Sequence, residues 1–340
     1  MSKLQSSRLR RGNRQMKKTF KLFGMLLLVV GMIAGCNGDA AQSDSSGTKI
    51  FLTLNAMDDF RQTLVDSATE KANENGVQLD VGDANNSIEN QVQMMKEAAE
   101  NGYDVILCGA VSIDTVVELK SCVGDVPIVF FNTCPKEKAL EKGRYVYVGS
   151  DEEVAGQLQA EYVLEKFADK EEINVAIIKG PKGHSATEGR TKGAKKAFKN
   201  SGKKVNYVFE DYANWDGQQA KDLFNLFLKT GQSIDCVICN NDSMALGIVE
   251  ACKENNIDLS QLTVLGVDAT ADGCSSIQNN EMAFTVYQSG KGQGSKAIEM
   301  AIELANGSDG ENLEGITEDG LYVWVPFEKV DSSNVSEYIK

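Results

Sequence analysis

The chain has 340 residues, of which 42% are hydrophobic and 25% charged, and only four are prolines. This is the composition of an ordinary globular protein, and the length exceeds the size at which a single core usually stops growing, so two domains are expected. Residues 1–35 hold eight of the 35 basic residues and none of the 49 acidic ones, which leaves the rest with a formal charge of −22. Such an acidic body repels phosphate backbones, which excludes nucleic acid as a partner. The single histidine, His184, argues against histidine-rich metal sites and triad chemistry.

The first 48 residues have the features of an export signal followed by a tether. Residues 1–21 are basic, and residues 22–34 form an apolar run of 13 that is too short to span a bilayer. The run leads into Ile-Ala-Gly-Cys36, which resembles a bacterial lipobox, so we expect a lipid on Cys36 and attachment to the outer face of the cell membrane. An ordinary secretory signal with an incidental cysteine is the alternative. Met16 begins a complete signal by itself and is expected to be the natural initiator, and residues 36–48 form a Gly/Ser/Asp-rich tether.

Seven cysteines remain after Cys36, and an odd number argues against a full disulfide framework. Cys236 and Cys239 match C-x-x-C, but they lie in an apolar strand pattern, where residues three apart point to opposite faces. That geometry is wrong for joint metal ligation, so we interpret both as small buried hydrophobic residues.

The mature chain alternates short β-branched or apolar runs with helical stretches, a pattern typical of βαβ units and parallel sheets. The predicted strands are residues 50–54, 77–81, 105–108, 128–131, 145–148, 175–178, 205–209, 236–239, 264–267 and 283–286. The predicted helices include residues 60–75, 88–101, 152–167, 187–200, 217–229 and 243–255.

Ten strands are too many for one comfortable sheet, so we expect an α/β fold of two doubly wound parallel-sheet lobes. The chain is expected to cross between the lobes near residues 149–151, 288–294 and 324–326. The predicted first lobe is residues 49–150 plus 290–323, and the predicted second lobe is residues 151–289 plus 324–340.

Polar and aromatic side chains follow most of the predicted strands, where open parallel sheets bind their ligands. In chain order they are Asp58, Asp59, Phe60, Asn132, His184, Arg190, Tyr212, Trp215, Asn240, Asn241, Asp242, Asp268 and Gln288. Planar amides, carboxylates and guanidinium groups suit vicinal hydroxyls, which both donate and accept hydrogen bonds. Aromatic rings cover the apolar C–H faces of a pyranose. This inventory indicates sugar capture.

Six stretches in order resemble the type I periplasmic binding proteins, and within them the galactose/glucose-binding receptors. They are residues 126–132 (VPIVFFN), 147–151 (YVGSD), 179–180 with 183–184, 214–216 leading to 219–222, 240–244 (NNDSM) and 266–268 (GVD). The resemblance covers the chain from about Thr48 to its C-terminus.

The resemblance implies a two-lobed fold with a three-crossing hinge and a role as the substrate-binding protein of an ABC importer, without catalysis or cofactor. It also implies a monosaccharide ligand, a permease as partner and a monomer. Hydrogen bonds to the sugar are assigned to Asp59, Asn132, His184, Arg190, Asn241 and Asp268, and Phe60 and Trp215 would sandwich the ring. Gln288 stands where the family usually has Asn.

Two departures from the family pattern bear on the ligand. A carboxylate is expected two residues after His184, where this chain has Ala186, so either free galactose and glucose bind more weakly here or the ligand is altered at C1. Glu188 points about 200° away from Ala186 along a helix and is not expected to compensate. Residues 167–173 are too short for the calcium loop of enteric relatives and lack its alternating oxygen ligands, so no metal is expected.

Several of these residues have simpler structural interpretations. Residues 240–242 could cap a helix that begins near Ser243, with Asp242 serving only as a cap. Asp58 and Asp59 could likewise serve a helix start, and Trp215 could belong to the core.

The sequence argues against two other classes of function. A glycosidase needs a facing pair of acids with separated pKa values, whereas amides surround most of the acids here. A sugar-responsive repressor shares the two-lobed core, but an export signal in place of a DNA-binding motif argues against it. Within the receptor class, a chemotaxis or two-component sensor remains the alternative partner, and a different polyol or a glycoside the alternative ligand.

Overall fold

The computed structural model describes residues 47–339, apart from the side chain of Asp59. The expected signal peptide, Cys36 and most of the tether therefore lie outside the described residues. The elements alternate as predicted and form two six-stranded sheets.

The first lobe is built on a sheet with the strand order β11-β5-β4-β3-β1-β2, in which every pairing is parallel. Its strands are β1 (Lys49–Leu54), β2 (Gln78–Asp83), β3 (Val105–Cys108), β4 (Ile128–Phe131), β5 (Tyr145–Gly149) and β11 (Tyr322–Trp324). Its helices are α1 (Asp59–Glu74), α2 (Ile88–Glu100), α3 (Val116–Cys122) and α9 (Gly290–Ala305). Residues of α1 and α9 share one buried cluster with β1, β3, β4 and β5.

The second lobe has the strand order β12-β10-β9-β8-β6-β7, parallel except where β10 pairs with β12. Its strands are β6 (Glu172–Lys179), β7 (Lys204–Tyr212), β8 (Cys236–Cys239), β9 (Thr263–Leu265), β10 (Phe284–Tyr287) and β12 (Glu328–Asp331). Its helices are α4 (Glu152–Lys166), α5 (Ser185–Ser201), α6 (Gly217–Leu228), α7 (Asp242–Glu254) and α8 (Ala271–Gln278). Both faces of this sheet are buried, as parallel sheets require.

Three segments join the lobes: one between β5 and α4, one between β10 and α9, and one between β11 and β12. Trp324 is the last residue of β11 and pairs with Gly149 in the first sheet, although the predicted boundary assigns it to the second lobe. The third crossing therefore begins one residue later, because parallel pairing extends through Trp324.

The seven cysteines among the described residues are unpaired. Cys236 and Cys239 lie in β8 and are fully buried, as their apolar strand pattern indicated. Burial raises the pKa of the Cys134 thiol to about 12, which keeps it protonated and unreactive.

Candidate functional site

Side chains from both lobes line one cavity of ≈ 90 Å³. Eight of the nine predicted ligand-binding residues line it; the ninth, Asp59, is the first residue of α1, and its side chain lies outside the description. The lining residues are Asp58, Phe60, Arg61, Asn132, Glu152, His184, Ala186, Arg190, Trp215, Asn241, Asp268 and Gln288.

The first-lobe wall is formed by the start of α1 and the end of β4. Asp58 caps α1, and its Oδ1 accepts a hydrogen bond from the Arg61 backbone N–H at 2.8 Å. The Arg61 side chain forms an ion pair with Asp58, and its Nε donates to Oδ1 of Asn132 at 3.1 Å. Asn132, directly after β4, has a φ of 58°, a conformation that asparagine tolerates better than most residues. These bonds fix a guanidinium group and an amide side by side.

Arg61 is a cavity residue that the sequence reasoning missed. The sequence does contain a signal for Arg61, namely its position in the first turn of a predicted helix. A cation there is disfavoured by the helix dipole and so needs a specific partner. Asp58, three residues earlier, is that partner.

The second-lobe wall is organised around Arg190, which is almost fully buried. Its Nε donates to Oε2 of Glu152 at 2.7 Å, and its Nη2 donates to Oε1 of Gln288 at 3.1 Å. Its Nη1 donates to the backbone oxygen of Asn240 at 2.6 Å and lies 3.6 Å from Oδ1 of Asp268. Each bond is charge-assisted, and together they hold the guanidinium plane in one orientation. Glu152 was not predicted, because an acid in the first turn of a helix is ordinary.

Close packing of α4 on α5 brings Glu152 and Arg190 together. A Cβ on Gly156 would lie 1.8 Å from the Arg190 backbone oxygen, and a Cβ on Gly189 would lie 2.5 Å from Cβ of Glu152. Only glycine permits this approach, so these two residues set the distance between the paired side chains.

His184 lines the cavity, and one of its two ring nitrogens is bonded to the protein backbone. As the N-cap of α5, its Nδ1 accepts from the Ala186 N–H at 3.2 Å, so the proton of the neutral ring is on Nε2. Nε2 is buried and has no hydrogen-bond partner among the described residues. Burial lowers the pKa of His184 to about 4, and the positive charges of Arg190 and Arg61 act in the same direction. The ring is therefore a neutral donor available to a ligand oxygen.

Trp215 is held in a conformation that bulky residues rarely adopt. Its φ is 66°, its ring meets that of His184 edge-on at 5.4 Å between centroids, and the Arg190 guanidinium lies 5.7 Å from its ring centroid. A Cβ on Gly180 would lie 2.3 Å from the indole ring, so glycine makes room for it. Trp215 also packs against the core of the second lobe while lining the cavity.

The loop after β9 carries Asp268 in a strained backbone conformation, with a φ of 117°. Burial raises the pKa of Asp268, and the charge of Arg190 opposes the rise. The loop is held by Asp242, whose Oδ2 accepts from the Thr270 N–H at 2.8 Å and whose Oδ1 accepts from Oγ1 of Thr285 at 2.6 Å. Asp242 is therefore not the cap of α7; it is a buried carboxylate that supports the Asp268 loop.

Asn241 is the cap of α7, since its Oδ1 accepts from the Met244 N–H at 3.0 Å. Its Nδ2 group remains available for donation, and the residue lines the cavity, so capping and a binding role are compatible. Asn240 has a structural role instead, because its Oδ1 accepts a hydrogen bond from the Gly180 N–H at 3.2 Å. Tyr212 lies outside the cavity, in a groove beside Lys179, and Glu188 lies in the same groove.

Within residues 47–339, no group of three or more His, Cys, Asp or Glu side chains is placed to hold a metal ion. No helix in that part of the chain is long and apolar enough to cross a membrane.

Comparison with known proteins identifies the family to which this fold belongs. A family model described as a periplasmic binding protein domain matches residues 50–309. A putative rhizopine-binding protein of Rhizobium meliloti is 28% identical over 88% of this chain and 90% of its own length. The D-galactose/methyl-galactoside binding periplasmic protein MglB of Haemophilus influenzae is 28% identical over 89% of this chain and 95% of its own length.

Solved structures agree with the sequence relatives. An ABC transporter solute-binding protein of Bacillus halodurans with bound myo-inositol has a TM-score of 0.77 and 28% identity, covering 87% of this chain and 99% of that one. A periplasmic solute-binding protein of Actinobacillus succinogenes with bound D-allose has a TM-score of 0.74 and 25% identity, covering 86% of this chain and 100% of that one. The chain therefore belongs to the type I periplasmic binding proteins, the extracytoplasmic sugar-binding components of ABC importers, and it is a binding protein rather than an enzyme.

Proposed function

We propose that this protein captures a monosaccharide of the galactose/glucose-like hexose class and delivers it to the permease of an ABC transporter. The observation that carries the proposal is the lining of the cavity, in which Phe60 comes from the first lobe and Trp215 from the second, with polar side chains from both. Aromatic rings from two lobes suit the two apolar faces of a pyranose, and the polar groups suit its hydroxyl edge.

The polar contacts in this proposal are made by Asp59, Asn132, His184, Arg190, Asn241, Asp268 and Gln288. Arg61 and Asp58 join them from the first lobe, since both line the cavity. The neutral His184 ring supplies a donor, and the arginines supply charged donors that the flanking carboxylates hold in place.

Capture proceeds by hinge closure of two lobes, residues 49–150 plus 290–324 and residues 151–289 plus 325–340. Neither lobe alone offers both aromatic rings and both arginines, so a sugar gains more contacts in the closed form than in the open form. That difference in affinity shifts the population towards closure, and the permease then recognises the closed form.

The relatives support a sugar or polyol ligand. The MglB protein of Haemophilus influenzae is named for D-galactose and methyl-galactoside, and the Actinobacillus structure holds D-allose. A cyclitol is the second candidate, because the Bacillus halodurans protein at 28% identity holds myo-inositol.

Ala186 bears on the choice between these ligands. It lines the cavity, is buried and is the second residue of α5, about one helical turn before Arg190. A carboxylate at this position would add a charge-assisted acceptor of roughly 1.5–3 kcal/mol, about ten- to a hundred-fold in affinity. We therefore expect free galactose and glucose to bind weakly, and Ala186→Asp to strengthen their binding but not that of their methyl glycosides.

Attachment through a lipid on Cys36, which lies outside the described residues, is part of the proposal. It predicts that Cys36→Ser protein leaves the membrane fraction. Equal recovery of the parent and the variant in the membrane fraction would contradict a lipid anchor on Cys36.

The test of function is isothermal titration calorimetry with galactose, glucose, allose, ribose and myo-inositol. Binding of at least one pyranose with a Kd in the micromolar range or below, abolished or strongly weakened in Trp215→Ala, supports the proposal. Trp324→Phe is the matched control, because Trp324 packs against Tyr147 and Tyr322 and lies outside the cavity. Binding of myo-inositol alone would favour the cyclitol, and binding of none of the five and of none of the hexose glycosides would refute sugar capture.

A further inference from the structure

A second, larger groove adjoins the cavity. Its volume is ≈ 590 Å³, and Phe60, Asp268 and Gln288 line both spaces. Its other lining residues are Thr63, Asp66, Ser67, Glu70, Ala269, Thr270, Ala271, Asp272, Tyr287, Gly290 and Lys291. The volume lies within the range of roughly 300–1,000 Å³ typical of ligand sites, whereas the cavity alone lies below it.

The groove is bounded by α1 of the first lobe, by the start of α8 in the second lobe and by the crossing between β10 and α9. Helix α1 lies directly against the crossing at two points. The Ser67 hydroxyl donates to the Lys291 backbone oxygen at 2.7 Å. At the second point there is no room for a side chain on Gly290, since a Cβ there would lie 2.2 Å from Oγ1 of Thr63. The groove is therefore built from close packing of α1 on the crossing.

The chemistry of the groove suits an uncharged ring. Two partly buried aromatic side chains, Phe60 and Tyr287, supply flat apolar surface. Besides Asp268, the groove is lined by the acids Asp66, Glu70 and Asp272 and by one basic residue, Lys291, so its net charge is negative and disfavours an anionic substituent.

We propose that this groove is a second subsite, which takes the neutral substituent of a glycoside, an aromatic aglycone or a second sugar ring, while the cavity holds the first sugar. The inference rests on the proposed function and deepens it, since it makes a substituted sugar the ligand class. Phe60, Asp268 and Gln288 are the residues shared by the two subsites.

The first test is calorimetry of the wild-type protein with each hexose that binds and with its methyl, phenyl and glucosyl glycosides in both anomers. The expected result is that at least one phenyl glycoside or disaccharide binds within about ten-fold of the free hexose, or more tightly, because the groove accommodates the substituent. If all of them bind more than about ten-fold more weakly, the subsite is wrong while sugar capture stands. If no hexose or glycoside binds, the proposed function fails with it.

The second test locates the substituent. Ala271→Trp places a large side chain at an exposed position in the groove wall, and Leu226→Trp makes a similar change at an exposed position of the same lobe away from the groove. The readout is the ratio of the glycoside Kd to the hexose Kd, because a general effect on closure cancels in it. We expect the ratio to rise at least ten-fold in Ala271→Trp and to stay within three-fold of wild type in Leu226→Trp.

An unchanged ratio in Ala271→Trp would exclude the groove as the place of the substituent. Glu70→Trp, on the opposite wall and also exposed, repeats the test if Ala271→Trp does not fold.

Discussion

Three non-glycine residues with positive φ angles line the cavity. They are Asn132, Trp215 and Asp268, with φ angles of 58°, 66° and 117°. Each lies in the segment that follows a different strand. Residues in such conformations persist only where the surrounding structure holds them. Here Arg61 holds Asn132, Gly180 makes room for Trp215, and Asp242 supports the loop of Asp268.

Trp215→Ala is expected to reduce the affinity for the bound sugar by at least about 2 kcal/mol, roughly thirty-fold, because it removes an aromatic ring from the cavity lining. Calorimetry measures the loss. Since Trp215 and Trp324 are the only tryptophans in the chain, fluorescence of Trp324→Phe reports on Trp215 alone. Unchanged affinity in Trp215→Ala, or a Trp324→Phe signal indifferent to sugar, would take Trp215 out of the site.

His184 predicts a pH dependence of stability with a defined sign. Its pKa is about 4 in the folded protein and near 6.5 when exposed, so the unfolded chain binds more protons between these values. The stabilisation from neutral His184 is therefore complete above about pH 6.5 and is lost as the pH falls towards 4.

His184→Asn keeps a helix-capping side chain but does not titrate in this range, so it isolates the effect. Urea unfolding at several pH values should show that wild type loses more stability than His184→Asn between pH 6.5 and 4. Parallel curves for the two proteins would show that the ring is not held neutral.

Among the elements, the α4–α5 pair controls the geometry of the second-lobe wall. Gly156→Ala would normally stabilise a helix by up to about 1 kcal/mol, yet here the added methyl meets the backbone of α5. We expect the opposite sign, a destabilisation of about 1–3 kcal/mol, because the helices must separate. Separation would also stretch the Glu152–Arg190 bond and weaken sugar binding.

Denaturant unfolding and calorimetry of Gly156→Ala measure both effects. Gln157→Ala, on the exposed face of α4, is the control and should change stability by no more than about 0.5 kcal/mol. A Gly156→Ala variant as stable as Gln157→Ala would show that the helices do not need the glycine.

The order of elements could be predicted because buried parallel strands are continuous apolar or β-branched runs, whereas apolar residues recur with a period near 3.6 in helices. Helix α7 is one example, predicted over residues 243–255 and found at Asp242–Glu254. Strand β12 (EKVD) contains a single apolar residue and β11 (YVW) has three residues, and neither was predicted as a strand. Reading the residues after each strand found most of the cavity lining, since parallel strands end at one edge.

Arg61 was missed although its partner Asp58 is only three residues away, but the other missed roles depend on tertiary contacts. Glu152 needs Arg190 of another helix, and the supporting role of Asp242 needs Thr270 and Thr285, 28 and 43 residues away. The second groove is likewise formed by elements far apart in the chain, α1, α8 and the second crossing. Sequence spacing carries no signal for such contacts.

At the scale of the whole molecule, a hydrogen bond joins the two lobes at a point outside the cavity lining. The Cys134 N–H, just after β4 of the first lobe, donates to Oγ of Ser185, the first residue of α5 in the second lobe, at 3.0 Å. A bond between lobes stabilises only the arrangement in which they are close together. Under the hinge-closure proposal it adds to the closed state without touching the sugar.

Ser185→Ala is therefore expected to weaken sugar binding about two- to ten-fold, since an intramolecular hydrogen bond contributes roughly 0.5–1.5 kcal/mol and the whole loss falls on the closed form. Calorimetry with whichever sugar the wild-type protein is found to bind gives the Kd, and small-angle scattering gives the fraction closed at saturation. Ser121→Ala, which removes an exposed hydroxyl bonded within its own helix, is the control and should leave the Kd unchanged. If Ser185→Ala binds as tightly as Ser121→Ala, the bond between the lobes contributes nothing to closure, and the energy of closure must come from the ligand contacts alone.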